Sequence, residues 1–291
     1  MTAFRRDLRR AQDRLLQGDP RTLETAESVR IEYAQRGDGP TVLVSHPLYG
    51  GFDVGLGLAR TYVGDGFRVI APSRFGYLGS TLPDGATPAT QADAYASVLD
   101  HLRVSQVVVF GYSAGGPSAI EFALRHPDRA TALVLMASAL PGKASAPPRW
   151  VARTLLGSDA FFWLVRRLMP TQLGRLMGVP AGLPLTPEQL DAVREAEDSL
   201  FPITPRTAGM LFDSYVSNPA VQGGPLEQVA VPTTIIHAED DPMTAFGNAA
   251  LAAGRIPTCR LVTIPTGGHL LLGSERIVRN EVRAAAGTPE S

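Results

Sequence analysis

The sequence predicts an α/β protein built on a mostly parallel sheet, and three observations carry this. Short continuous apolar runs recur along the chain, as strands buried on both faces require. Stretches of helical period separate most of them, and strand alternating with helix implies a parallel sheet covered on both faces. The rhythm then stops between about Pro141 and Pro225. There, proline-punctuated helical stretches replace strands, as an insertion between two sheet strands would.

Phe4, Leu8, Ala11 and Leu15 fall at helical intervals from Phe4 to Gln17, with Arg5, Arg6, Arg9, Arg10 and Arg14 on the other faces. Gly18 and Pro20 end this helix. A basic amphipathic helix suits a membrane surface, but its narrow apolar face favours packing on its own domain or a mobile tail. Val29-Arg30-Ile31-Glu32-Tyr33 alternates like a half-exposed strand. Strand-like runs follow at Thr41 to Val44, Arg68 to Ala71, Val107 to Phe110, Ala132 to Leu135, Thr234 to Ile236 and Leu261 to Ile264. Helices are expected over Thr90 to Leu102 and Gly116 to Arg125.

Within the insertion, helical stretches cover Trp150 to Leu156, Phe161 to Met169, Gln189 to Leu200 and Thr207 to Val216. Phe161-Phe162-Trp163-Leu164-Val165 is apolar enough for a membrane contact, yet a cap over a substrate pocket needs the same residues and is preferred. The expected organisation is an N-terminal helix and linker (1–28), a core domain (29–140 and 226–291) and a helical cap (141–225). The tail from Ala284 to Ser291 reads as frayed.

Composition bounds the function. The 291 residues suffice to bury a full core. The formal net charge of −1 leaves no global field to gather nucleic acid or an anionic membrane. No stretch reaches the roughly 18 apolar residues that a membrane span needs, and Met1 to Asp7 lacks a following apolar secretory segment. The single cysteine, Cys259, forbids an intramolecular disulfide and reads as a small apolar residue beside a strand. A cytoplasmic protein is expected. Lys143 is the only lysine, which reads as codon bias.

The chemistry centres on Gly111-Tyr112-Ser113-Ala114-Gly115-Gly116, directly between a strand and a helix. This is G-x-S-x-G in the context that gives the motif meaning. The turn is tight enough to strain the nucleophile's backbone, and side chains two positions away on either side would collide with neighbouring chain. Gly111 and Gly115 have none. A serine hydroxyl needs a base. His101 and His126 sit at helix ends and His237 lies inside a strand. His269 occupies the glycine-rich loop Thr266-Gly267-Gly268-His269 after the last strand. An orienting acid follows the strand Thr234 to Ile236 in Glu239-Asp240-Asp241-Pro242, where Asp241 is preferred and Asp240 is the rival.

The oxyanion of a tetrahedral intermediate needs N–H donors. One is expected from Ala114. The other should come from Ser45-His46-Pro47-Leu48-Tyr49-Gly50-Gly51, where Pro47 has no N–H, Leu48 is preferred and Tyr49 is second. His46 is expected to hold this loop by hydrogen bonds. Tyr49, Tyr112, Phe162 and Met210 are candidate substrate-binding residues.

Taken together, these segments resemble the α/β-hydrolase superfamily over roughly Val29 to Ala286. The matching features are the His46-Pro47 loop, Arg68 to Pro72 with Gly76-Tyr77-Leu78-Gly79-Ser80, the serine elbow, His126-Pro127-Asp128-Arg129, and the loops of Asp241 and His269. Two positions depart from the family's pattern: Pro47 stands where glycine is usual, and Ser73 where aspartate is common. The resemblance implies the α/β-hydrolase fold, a Ser113–Asp241–His269 triad and a variable helical cap. Because the nucleophile is serine, the dehalogenase and epoxide-hydrolase branches are not matched.

The implied reaction is acyl transfer: Ser113 attacks a carbonyl, His269 takes its proton, and water later releases the acid. Neither a metal nor an organic cofactor is expected. A carboxylic ester or lactone of a small apolar molecule is the first substrate class. Carbon–carbon hydrolysis beside a ketone, a tailoring or cyclising reaction, and a ligand-binding protein without catalysis are the alternatives. The expected partner is a small-molecule substrate, with no nucleic acid and no stable membrane insertion. The oligomeric state is left open.

Overall fold

A computed structural model describes residues 2–142 and 146–288. Residues 143–145 of the expected cap, Lys143 among them, and the last three residues of the tail therefore fall outside the described residues.

The chain begins with helix α1 (Ala3–Gln17), capped by the Thr2 hydroxyl. Strands β1 (Arg21–Glu24) and β2 (Arg30–Arg36) form an antiparallel hairpin, followed by β3 (Thr41–Ser45). Helix α2 (Phe52–Leu58), β4 (Arg68–Pro72), α3 (Pro88–His101), β5 (Val107–Tyr112), α4 (Gly116–Arg125) and β6 (Ala130–Met136) come next. The helical excursion holds α5 (Arg149–Val151), α6 (Asp159–Leu168), α7 (Pro170–Leu176), α8 (Pro187–Leu200), α9 (Thr207–Phe212) and α10 (Asn218–Ala220). Strand β7 (Thr233–Ala238), α11 (Phe246–Arg255), β8 (Cys259–Ile264) and α12 (Glu275–Ala285) complete the chain.

The eight strands lie in the order β1-β2-β4-β3-β5-β6-β7-β8. β2 meets β4 antiparallel, and all pairs from β4 to β8 are parallel. The expected mostly parallel sheet is therefore what forms, and each of the seven expected strands lies within an observed one or overlaps it. The missed strand, β1, is short and largely exposed, so it carries no apolar pattern.

Period-two alternation splits each central strand between two apolar layers. In β5, Val107 and Val109 join the layer containing α3, α4 and α11. Val108, Phe110 and Tyr112 join the layer containing α12. Phe110 is fully buried, and truncating such a ring to alanine costs about 3–5 kcal/mol.

Strand order reverses around β3: the chain winds first to β4, then crosses back to β5. In open α/β sheets a crevice forms at such a switch point, beyond the carboxyl ends of the strands. The loops after β3 and β5 therefore face one another there.

Helix α1 docks on the insertion. The Phe4 ring meets Trp163 edge-on at 5.8 Å, and Arg14 donates to the carbonyls of Asp198 and Phe201 at 2.7 and 2.6 Å. Ala11 is buried. The helix thus packs on the rest of the molecule, as the narrow apolar face suggested.

Candidate active site

The turn after β5 puts Ser113 at φ +51°, a left-handed conformation that costs a non-glycine residue about 1–3 kcal/mol. The neighbouring glycines explain why the turn fits. A Cβ on Gly111 would lie 2.7 Å from the Ala119 methyl, and one on Gly115 would lie 2.1 Å from the Ser45 carbonyl oxygen. The same closeness binds the loop after β3 to this turn, because the Ser45 hydroxyl donates to the Gly115 carbonyl at 2.9 Å.

Ser113, His269 and Asp241 form one continuous hydrogen-bonded line. Ser113 Oγ lies 2.8 Å from His269 Nε2, and His269 Nδ1 lies 2.8 Å from Asp241 Oδ2. All three residues are buried. Burial pushes the Asp241 carboxyl up. The His269 bond and charge, the Thr244 hydroxyl at 2.7 Å and the Met243 N–H at 2.8 Å outweigh this and hold it below its usual value. With Asp241 ionised, His269 Nδ1 is the donor of that pair, which leaves Nε2 free to accept the serine proton.

Asp240, the rival acid, faces the other way. Its carboxylate accepts from the Thr266 hydroxyl at 2.8 Å and from the Gly267 and Gly268 N–H groups at 3.1 and 2.8 Å. It holds the loop that carries His269. Two tyrosines hold the same loop: Tyr112 donates to the His269 carbonyl at 3.1 Å and Tyr62 to the Leu270 carbonyl at 2.5 Å. The Tyr112 ring also lies 5.4 Å from the imidazole. This contact accounts for Tyr112 without a substrate.

Among the other histidines, His237 donates from Nε2 to the Thr244 carbonyl at 2.8 Å and lies 3.4 Å from Asp241 Oδ2. Burial lowers its imidazole, so it stays neutral beside the acid. His126 pairs with Asp93 at the end of α4. The Cys259 thiol is half-buried and pushed up to about 11 by burial, as an unreactive packing residue would be.

The loop after β3 is held from several sides. Burial, then the Arg74 charge, pushes the His46 imidazole well below its usual value. The neutral ring donates from Nδ1 to the Pro47 carbonyl at 2.8 Å and accepts the Arg74 N–H at Nε2, 2.9 Å away. Leu48 is half-buried in the turn that the Gly50 N–H closes on the Pro47 carbonyl at 3.0 Å. Tyr49 follows at φ +57°. Pro47 is thus accommodated through its carbonyl. Ser73, at the other departure, accepts the Phe52 N–H and donates to Glu32, both at 3.0 Å.

Sequence reasoning missed two buried arginine–aspartate pairs that join this loop to the insertion. Arg74 of the core donates twice to Asp213, at 2.6 and 2.5 Å, and Tyr77 donates to the same carboxylate. Burial works against the Arg74 charge, but Asp213 overcomes it and holds the guanidinium more firmly protonated than in water. Arg206 of the insertion donates to Asp53 at 3.0 and 2.7 Å and to the Gly50 carbonyl at 2.6 Å. The partners stand more than a hundred residues apart, so no local pattern announces them.

The insertion also touches the His269 loop directly, because the His269 N–H donates to the Gly178 carbonyl at 2.9 Å. Met210 is buried on α9. Phe162 stacks on Phe201 at 6.2 Å, in the seam with α1, which accounts for it without a substrate. Among the described residues no group of histidine, cysteine and acidic side chains is arranged to hold a metal ion, and no helix is long and apolar enough to cross a membrane.

A strand–serine–helix turn, a histidine loop after the last strand and an acid after the one before it define a family. The model of the alpha/beta hydrolase fold matches residues 40–275, and the chain belongs to that family. It is 26% identical over 268 residues to an uncharacterised hydrolase of Bacillus subtilis, covering 86% of this chain and 92% of the relative. A solved alpha/beta hydrolase fold protein from Nakamurella multipartita shares 27% identity at a TM-score of 0.74, covering 92% of this chain and 99% of that one. A 2-hydroxy-6-oxononadienedioate/2-hydroxy-6-oxononatrienedioate hydrolase of Paraburkholderia xenovorans is 31% identical over 157 residues. That match spans about half of each protein, 52% of this chain and 53% of the relative. The coarse class that membership and these relatives support is a hydrolase.

Proposed function

We propose that the chain is a serine hydrolase that cleaves a carboxylic ester or lactone of a small apolar molecule. Ser113 is the nucleophile, His269 the base and Asp241 the orienting acid. The observation that carries this is the line from Ser113 Oγ through His269 to Asp241, with both links at 2.8 Å and the serine backbone held in its strained turn.

Ser113 Oγ attacks the carbonyl carbon as His269 Nε2 takes its proton. Asp241 stabilises the imidazolium. The N–H groups of Ala114 and Leu48 receive the oxyanion, and the turn held by Arg206 and His46 keeps the second donor in place. The imidazolium gives its proton to the leaving oxygen, leaving an acyl group on Ser113. His269 then activates water, which releases the acid. The helical insertion acts as the cap, with Tyr49 and Met210 as the remaining candidates to contact substrate. No metal or cofactor takes part, and the single cysteine fits a reducing, cytoplasmic setting.

A second reading, hydrolysis of a carbon–carbon bond beside a ketone, is favoured by the Paraburkholderia relative. It uses the same three residues and differs in the substrate.

Turnover of nitrophenyl esters of increasing acyl length tests the first reading. The expected result is a preference for longer apolar chains, with Ser113→Ala losing about 10⁴-fold or more in kcat. A preference for small charged esters contradicts the apolar substrate. Turnover of vinylogous diketones without turnover of esters selects the second reading.

A further inference from the structure

We propose that the outer face of α6 and α7 is a docking surface for an anionic lipid membrane. Seven of the ten residues of α6 are apolar, yet none is buried. A helix that is apolar all round normally lies inside a protein. Here the inner side alone is used: Phe162 turns to Phe201 and Trp163 to Phe4. Phe161, Leu164 and Leu168 recur at helical spacing on the other side and stand 37%, 47% and 67% exposed. Arg167 lies in the same exposed stripe.

More exposed apolar side chains flank the joint at Pro170. Met169 is 46% exposed, and Leu176 on α7 is 67% exposed beside an exposed Arg175. Packing on Phe201 and on α1 accounts for the inward side chains and leaves this outward row without a partner among the described residues. Contiguous exposed apolar side chains rimmed by charge mark an interaction surface.

The charge selects the occupant. From Arg149 to Leu176 the chain carries five arginines, of which Arg166 is paired with Asp198, and one acid, Asp159. That acid is already engaged, with its Oδ1 accepting the Ile203 and Thr204 N–H groups at 2.6 and 3.0 Å. Helix α1, which leans on Trp163, adds exposed Arg5, Arg6, Arg9 and Arg10 to the neighbourhood. Apolar side chains edged by arginine suit an interface of acyl chains and anionic headgroups. A second copy of the chain fits less well, because a two-fold contact sets each arginine stripe against itself. The docking is peripheral. It also does not depend on which residue is the nucleophile. The same segment runs on to Gly178, which touches the His269 loop, so a docked molecule holds the cover of its site against the lipid phase.

Sedimentation with vesicles tests this, using phosphatidylcholine alone and an equal mixture with phosphatidylglycerol. The expected result is partition into the mixed vesicles, little into phosphatidylcholine, and loss on raising salt. The pair Leu164→Asp and Leu168→Asp should lower partition at least about tenfold. Arg167→Gln and Arg175→Gln should each lower it about fivefold at low salt. All these positions are exposed, so the unfolding midpoint should stay that of the wild type. Absence of partition into mixed vesicles, or unchanged partition of the aspartate pair, overturns the proposal. So does a concentration-dependent dimer that the aspartate pair dissolves while vesicles bind neither form.

Discussion

Arg206 and Asp53 lock the helical insertion to the loop that follows β3. The guanidinium leaves the insertion, meets both carboxylate oxygens of Asp53 at 3.0 and 2.7 Å, and takes the Gly50 carbonyl at 2.6 Å. Arg74 and Asp213 repeat the arrangement in the opposite sense, core to insertion. Each pair is a bidentate clasp, and together they fix the turn that carries Leu48.

Arg206→Met leaves Asp53 without its cation in a largely buried seam. The expected cost is about 3–5 kcal/mol, read by urea denaturation. Arg206→Met combined with Asp53→Leu should cost clearly less than the two single changes summed, because no uncompensated charge remains. Additive losses would show that the two residues act separately.

Asp240 and Asp241 should differ sharply although they are adjacent. Asp241→Asn replaces the carboxylate that accepts from His269 Nδ1 with a neutral amide that favours the wrong tautomer, with an expected loss of about 10⁴-fold in kcat. Asp240→Ala loosens the loop without touching the imidazole, with an expected loss nearer 10²-fold. Steady-state kinetics on one ester decides between them, and a reversed ranking would exchange their roles.

Gly178 is at φ +90°, and a Cβ there would lie 2.2 Å from the His269 Cβ. Gly178→Ala must therefore move either the insertion or the histidine. The expected result is a fall in kcat of about 10²-fold, with the secondary structure seen by circular dichroism retained. Unchanged kinetics would mean that this contact is not kept in solution.

Glu197 on α8 is pushed up to about 7 by burial and then by the Asp198 charge. Its unfolded value is the ordinary 4.5. Between these values the folded chain holds a proton that the unfolded chain gives up. The contribution is fully present below about 4.5 and is lost as pH rises through about 7. Glu197→Gln should therefore be more stable than wild type at alkaline pH, by about 1–2 kcal/mol after solvent screening. At mildly acidic pH the two should converge. Denaturation curves on either side of neutrality check the sign.

The core was legible because its strands are apolar runs and its serine turn has a local signature. Seven strands, Ser113, His269 and the Asp240-Asp241 pair could be read from residues close in sequence, and the fold brings Ser113, His269 and Asp241 into one line. Helices α2, α11 and α12 have no clear signal in the sequence. The glycines of α2 and the charges of α12 blur their apolar stripes. Helix α7 was passed over because Pro170 reads as a break, whereas it occupies the first helical turn, where its missing N–H costs nothing. The choice between Asp240 and Asp241 rests on which side of one turn each carboxylate faces, and spacing says nothing of that. Tyr112 and Phe162 show the same limit: an aromatic beside the nucleophile or in the insertion suits a substrate wall and an internal prop equally well. The Arg74–Asp213 and Arg206–Asp53 clasps are tertiary facts with no trace in sequence order.

The proposed reaction requires Ser113 to be an activated nucleophile. A fluorophosphonate probe, followed by mass mapping of the labelled peptide, tests it most directly. One adduct is expected, on Ser113, abolished in Ser113→Ala and strongly slowed in His269→Ala. Folded wild-type protein labelled on another residue, or labelled equally in Ser113→Ala, would contradict it.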